Sequence, residues 1–319
     1  MLPSFPEFKE LALSDRAAFE SQLAAHPREI CELSFATLYL WQDFDRPCLT
    51  TMRGNLCVRI HPLDEPAYFL EPVGSRDLME CAEACVRHSG RISRATAGFV
   101  DKIRGNGFRV AELRDHHDYV YRVRELAELR GRRFDGKRNH IKGMQRRHAG
   151  YAYRPLGRGD ADAAMELFER WCRAHPPVRS GQFRADDIEY ECQRRALARA
   201  FEAFDALGLF GGALEIDGEL SGFVIASRLT ASMACAHLEY HRPEVPGLAQ
   251  TLLWEASRQT FAPFEDVNLE QDLGIEGLRR HKISYHPLRL AEKFEVELAA
   301  PSGAPARDRR CEEKGDHHE

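Results

Sequence analysis

No stretch of the 319-residue chain approaches the roughly 18 consecutive apolar residues that a membrane-spanning helix requires. The N-terminal run Met1-Leu2-Pro3-Ser4-Phe5-Pro6-Glu7 has neither the basic start nor the long apolar stretch of a secretory signal. CxxC pairs are absent, and the nine cysteines are odd in number and irregularly spaced. That pattern fits neither a structural zinc site nor a complete disulfide framework, and reads as reduced thiols in a cytoplasmic protein, with Cys311 in a polar tail. Four common catalytic signatures are missing: GxSxG, GxxxxGK[ST], HExxH and GxGxxG after a strand. No metal is expected.

What is present is an ordinary globular composition with a marked charge asymmetry. Apolar residues make up 43% of the chain, enough for one large or two smaller cores. The formal net charge is −5, yet Arg130–His148 carries eight Lys and Arg against the single acid Asp135. That segment is therefore +7 and the remainder −12. Arg132, Arg133, Lys137, Arg138, Lys142, Arg146 and Arg147 are the candidate contacts to a polyanion; a solvated helix paired with acidic neighbours is the plainer reading.

On either side of this basic stretch the same order of elements recurs: helices, a hairpin, a strand, a helix, a strand, a helix and a strand. In the first half, Cys48–Met52 and Leu56–Ile60 flank Arg53-Gly54-Asn55. In the second, Phe210–Ile216 and Glu219–Leu229 flank Asp217-Gly218, a turn pair that accepts positive φ. Met233–His241 reads as a strand, Leu248–Thr260 as a helix, Asp266–Asp272 as a strand and Gly274–Lys282 as a helix. Leu288–Val296 is expected to close the second sheet. Pro176 to Asp186 reads as a loop, and Ala299–Glu319 as a disordered tail. The expectation is two α/β units with mixed sheets: residues 1–129, a basic helical connector over 130–150, and residues 151–298.

Chemistry concentrates in the second unit. Pro246-Gly247 opens a helix directly after a strand, so the backbone N–H groups of Gly247, Leu248, Ala249 and Gln250 are placed to hold a phosphate. Period-two alternation puts His237, Glu239 and His241 on one face, a polar cleft wall in which Glu239 is the candidate base. The same alternation puts Asn268, Glu270 and Asp272 together at a strand end, where Glu270 and Asp272 meet an acceptor. Lys282 and Tyr285 are candidate acyl contacts or proton donors.

The run Asn268-Leu-Glu-Gln-Asp-Leu-Gly-Ile-Glu-Gly-Leu-Arg-Arg-His-Lys-Ile-Ser-Tyr-His-Pro287 resembles the signature of the family of the phosphatidylglycerol lysyltransferase C-terminal domain. So do Gly136-Lys137-Arg138-Asn139-His140-Ile141-Lys142 and the second hairpin, and the resemblance extends over about residues 5–298. It implies two tandem GNAT (N-acetyltransferase-like) domains with mixed, mainly antiparallel sheets. It also makes 233–260 the donor pyrophosphate site, with Arg242 and residues 247–250 as donor contacts. The usual loop ends in Gly-x-Gly/Ala, which Gly247-Leu248-Ala249 matches, but Glu244 stands where a basic residue is usual. The corresponding first-half loop, Glu71 to Arg76, departs further, so the first half is expected to be degenerate.

The resulting expectation is an acyl- or aminoacyl-transferase. It takes acyl-CoA or aminoacyl-tRNA as donor, with no tightly bound cofactor, and a small-molecule, peptide or lipid acceptor. A non-catalytic RNA- or nucleotide-binding module is the alternative.

Overall fold

The computed structural model describes residues 2–175 and 185–299; residues 176–184 of the expected loop and the tail from 300 onward lie outside the described residues. The strands in chain order are β1 (Lys9–Glu10), β2 (Cys48–Met52), β3 (Asn55–Ile60), β4 (Tyr68–Phe69), β5 (Ile92–Thr96), β6 (Phe108–Glu112) and β7 (Asp118–Arg122). They continue with β8 (Ala152–Pro155), β9 (Phe210–Ile216), β10 (Glu219–Arg228), β11 (Met233–His241), β12 (Asp266–Asn268), β13 (Arg289–Ala291) and β14 (Lys293–Leu298). The helices of the first half are α1 (Arg16–Ala25), α2 (Phe35–Leu40), α3 (Gln42–Asp45), α4 (Leu78–Ser89), α5 (Ala97–Ile103) and α6 (Val123–Glu128). Those that follow are α7 (Asp135–Arg147), α8 (Ala161–Ala174), α9 (Ala185–Glu202), α10 (Leu248–Arg258) and α11 (Glu276–Ile283). No described helix is long and apolar enough to cross a membrane.

The expected pair of mixed sheets is present, and each has seven strands. The first runs β1-β2-β3-β4-β5-β14-β6, the second β13-β7-β12-β11-β10-β9-β8. Both hairpin turns follow their residue chemistry. Asp217 (φ +55°) and Gly218 (φ +81°) form one, and Arg53 (φ +52°) and Gly54 (φ +82°) the other. Positive φ at both central residues matches the right-handed twist of paired strands.

The two sheets exchange strands. β7, from the first half, lies in the second sheet between β13 and β12, while β14, from the C-terminal end of the described chain, lies in the first sheet between β5 and β6. The segment expected as one closing strand therefore splits at Glu292. Ala291 pairs with Asp118 in the second sheet, and Lys293 pairs with Thr96 in the first. Alternation of apolar residues cannot reveal such a crossing, because both pieces keep a strand pattern.

The basic stretch is a packed helix rather than a free connector. Ile141 and Met144 of α7 are buried, and Met144 joins Leu248 and Leu252 of α10 in one apolar cluster. Gly247, with φ +87°, precedes α10, and a Cβ there would lie 2.4 Å from the carbonyl oxygen of His140. That glycine is required twice, by its backbone conformation and by the approach of α7.

Where the sheets cross, Lys293 is completely buried and its ammonium lies 2.6 Å from a carboxylate oxygen of Asp118 and 2.6 Å from one of Glu32. Lys293→Met keeps the length of the side chain and leaves two buried acids without their cation. Breaking a buried pair from one side costs about 3–5 kcal/mol. Urea unfolding is expected to show a lowered midpoint of that size with Lys293→Met. A midpoint within about 1 kcal/mol of wild type would show that the pair does not hold the crossing.

Candidate active site

The second sheet opens at β11 and β12. The two pair in parallel only through Met233–Asp266, Ala234–Val267 and Cys235–Asn268. Beyond that point β11 continues to His241 while the chain leaves β12 at Asn268, so a wedge forms at the strands' C-terminal ends. Ligands of open α/β sheets bind in such openings.

A β-bulge decides which side chains line the wedge. Ile225 of β10 faces Leu238 of β11, but the next residue, Ala226, faces Ala236, so His237 is the extra residue. Leu238 and Tyr240 pack with Phe223, Ile225 and Phe168, whereas Ala236 packs with Val224, Ala226 and Leu253. Glu239, between Leu238 and Tyr240, therefore projects on the α10 side. His237 turns to the other side, where its Nε2 meets Ser227 Oγ at 2.8 Å. The expected row of His237, Glu239 and His241 on one face is thus broken at its first member. Only Glu239 and His241 remain together.

Glu239 is exposed within the wedge yet lies deep among protein atoms, as a residue on a cleft wall does. Desolvation raises its carboxyl to about 7, against the opposing pull of Lys282. Tyr285 is buried, and its hydroxyl has no hydrogen-bond partner. Burial pushes that hydroxyl up, and the nearby Glu239 charge pushes it further. The ammonium of Lys137 lies 3.8 Å from the Tyr285 ring centroid and donates to Ser284 Oγ at 2.6 Å. His281, whose ring is 5.3 Å from that of Tyr285, is lowered to about 4 by desolvation and by Lys137 and Lys282. Desolvation also lowers His241, and His175 adds to the effect. The wedge thus combines one carboxyl near neutrality, one unpaired phenol and two imidazoles held uncharged.

At the donor loop, the buried Leu248 departs from expectation because its N–H donates to the Val245 carbonyl at 3.2 Å, so the first turn of α10 offers a ligand the N–H groups of the half-buried Ala249 and Gln250. Arg242 pairs with Glu244 at 3.0 Å and stands 3.7 Å from Glu219. Glu244 also meets Arg170 at 2.7 Å, so this acid has guanidinium groups on two sides.

The three residues expected at an acceptor differ in situation. β12 ends at Asn268, and Glu270 and Leu273 then adopt φ +57° and +53°, which breaks the expected common face of Asn268, Glu270 and Asp272. Asp272 is fully buried. It accepts from Arg279 at 2.7 and 2.9 Å, Tyr119 at 2.6 Å, Gly274 N–H at 2.9 Å and Arg114 at 3.4 Å. Its carboxyl is held well below the usual range by these partners in spite of desolvation. Lys282 donates to the carbonyls of Leu269, Glu270 (3.1 Å) and Gln271 (2.7 Å), which occupies all three ammonium hydrogens. These two residues tie the chain end beyond β12. Glu270 instead reaches His237, its Oε1 lying 3.1 Å from Nδ1.

Along the basic stretch, Arg133 pairs with Glu125, Arg138 with Asp135, and Arg147 donates to the Pro246 carbonyl. Arg132, Lys142 and Arg146 are exposed and without an ion-pair partner among the described residues. Sequence reasoning missed the junction residues Glu32, Asp118 and Lys293, and also Thr37 and Ser227. The Tyr119-Val120-Tyr121 run was an available strand signal for β7.

The sign of the Glu239 shift gives a stability test. Its folded-state pKa is above the unfolded value, so between about 4.5 and about 7 the folded protein binds more protons than the unfolded chain. This contribution is complete below pH 4.5 and is lost as the pH rises through 7. Glu239→Gln removes the dependence, so its melting temperature relative to wild type is expected to climb from pH 5 to pH 7.5. A constant difference would place the carboxyl at an ordinary pKa.

Residues 24–296 match the family described as phosphatidylglycerol lysyltransferase, C-terminal. Among solved structures, a conserved protein of unknown function from Bacteroides thetaiotaomicron is similar at 26% identity with a TM-score of 0.81, over 93% of this chain and all of that one. The structure of L-PGS from Bacillus licheniformis is similar at 14% identity with a TM-score of 0.61, over 95% of each chain. FemX is similar at 12% identity with a TM-score of 0.52, over 91% of this chain and 96% of that one. No curated protein matches. The chain shares its overall fold with these structures and belongs to the phosphatidylglycerol lysyltransferase C-terminal family.

Proposed function

We propose that the chain transfers an acyl or aminoacyl group from a thioester or tRNA ester to an amine or hydroxyl acceptor, with the β11–β12 wedge as its active site. The observation that carries this reading is Glu239, raised to about 7 on the wall of an open strand end, with its charge acting on the buried, unpartnered hydroxyl of Tyr285. The acceptor nitrogen or oxygen attacks the donor carbonyl carbon. A new C–N or C–O bond forms, and the C–S bond of the thioester or the C–O bond of the ester breaks. Glu239 takes the proton of the attacking group, directly or through one water, and Tyr285 gives a proton to the departing thiolate or ribose oxygen. A base with a pKa near the working pH is the most effective kind. The family match supports transfer chemistry.

Donor phosphate is held at the first turn of α10. The exposed Arg132, just before the adjacent α7, and Lys142 and Arg146 within it favour a donor that carries an RNA backbone. Binding of RNA without turnover is the second reading, supported by the same three side chains.

Three experiments test the proposal. Glu239→Gln keeps shape and removes basicity, so it is expected to cut turnover by about 10²–10⁴-fold while donor affinity is unchanged. Full turnover would make Glu239 a structural residue. At the donor loop, Gly247→Asp would dislodge α7, so Ala249→Asp is the cleaner probe. An acid in a helix's first turn is favourable to the helix but repels phosphate. It is expected to weaken CoA or aminoacyl-tRNA binding at least about tenfold with no fall in melting temperature, and unchanged binding would remove the loop from the site. Finally, combining Arg132→Glu, Lys142→Glu and Arg146→Glu is expected to flatten the salt dependence of RNA binding. An unaltered salt slope would exclude α7 as an RNA contact.

A further inference from the structure

On the side of β11 away from Glu239, three metal-type ligands converge. Cys235 Sγ, His237 Nδ1 and a Glu270 carboxylate oxygen all lie within 4.8 Å of one another. Cys235 and His237 are buried and Glu270 is half-buried. Sγ is 3.7 Å and Nδ1 3.1 Å from the same oxygen, Oε1 of Glu270. Thr37 Oγ1, contributed by α2 of the first half, lies 3.3 Å from Nδ1. Zinc bonds of about 2.0–2.3 Å to N, O and S at tetrahedral angles require ligand–ligand separations in this range.

Two further observations point to a cation. The first is the orientation of His237. Its other nitrogen, Nε2, is fixed 2.8 Å from Ser227 Oγ, a residue outside the cluster. Histidines that bind a metal through one nitrogen are held in this way through the other. The second is the contrast with a neighbouring cluster of the same kind, Cys31, Glu32 and Asp118. There the Lys293 ammonium is the internal cation, 2.6 Å from each acid and 3.7 Å from the Cys31 sulfur. At Cys235, His237 and Glu270, among the described residues, no Lys or Arg forms an ion pair with Glu270; its partner is His237.

We propose that Cys235, His237 and Glu270 bind one zinc-class divalent ion, with Thr37 Oγ1 or a water as fourth ligand. Binding forms Zn–S, Zn–N and Zn–O bonds. The thiol proton leaves to solvent, and the neutral imidazole binds the ion through Nδ1 with its one proton on Nε2, donated to Ser227 Oγ. The ion ties β11 to the chain beyond β12 just where the strands separate, and so fixes the mouth of the wedge. This inference does not depend on the transferase reading, because its readouts are metal content and spectra.

The test uses the full chain purified without an affinity tag, stripped with a chelator and titrated with Zn²⁺ and then Co²⁺. One equivalent of zinc per chain is expected by elemental analysis. Co²⁺ is expected to give tetrahedral ligand-field bands and a thiolate-to-cobalt charge-transfer band. Cys235→Ser should abolish the charge-transfer band, and Ser227→Ala should weaken affinity about 10–100-fold. Circular dichroism of each variant confirms that it is folded. Absence of stoichiometric zinc in the folded wild type would overturn the proposal. So would an unchanged cobalt spectrum in Cys235→Ser, which would place the ion on a different thiol. Should Cys235→Ser fail to fold, Ser227→Ala decides alone: unchanged affinity there would overturn the site.

Discussion

The Lys293 ammonium occupies the point where the chain passes from one sheet to the other, fully buried between Asp118 and Glu32. A lysine there is costly unless its hydrogens are matched, and the structure supplies two carboxylates and the side-chain oxygen of Gln271 at 3.1 Å. Asp118 in turn accepts from Cys31 N–H at 2.7 Å and from Asn268 Nδ2 at 2.9 Å. One ion pair thus joins the starts of β7 and β14 to the end of β12. The strand exchange makes each sheet depend on residues from the other half, and the ion pair holds the exchange in register.

The candidate active-site wedge inherits its shape from that junction. β12 is short because Asn268 is drawn to Asp118 and to the Glu29 carbonyl, after which Glu270 takes a left-handed conformation. Left-handed backbone in a non-glycine residue costs of order 1–3 kcal/mol and persists where surroundings enforce it. Here the Asn268 side chain accepts the Glu270 N–H at 2.6 Å, and Lys282 binds three successive carbonyls. The early end of β12, with the bulge at His237 on the other wall, separates two chemistries across one strand. Glu239 faces an open cleft, while His237 faces a closed, hydrogen-bonded pocket.

Much of this was legible from residue types. The Asp217-Gly218 hairpin, the Met233–His241 strand and the helix after Pro246-Gly247 each follow from local rules, and the two halves were visible as a repeated order. Glu239 and Tyr285 were singled out by alternation and by motif. The rest was hidden for physical reasons. A bulge adds one residue without altering composition, so the alternation that correctly paired Glu239 with His241 wrongly included His237. Asp272 and Lys282 look like ligand contacts because they are charged, but their charges are matched by Arg279 and by backbone carbonyls that only the fold brings near. Lys293 and Asp118 are 175 residues apart, and no local pattern marks either as a partner of the other.

The central claim is that the wedge holds a carboxyl group ready to accept a proton near neutral pH. Carbon-13 NMR of protein labelled at the glutamate carboxyl carbons measures this directly. Burial also raises Glu32, so the account predicts a glutamate resonance with a titration midpoint close to 7 that is absent from Glu239→Gln and shifted when a donor binds. Glutamates that all titrate between about 4 and 5, the ordinary range, would contradict it.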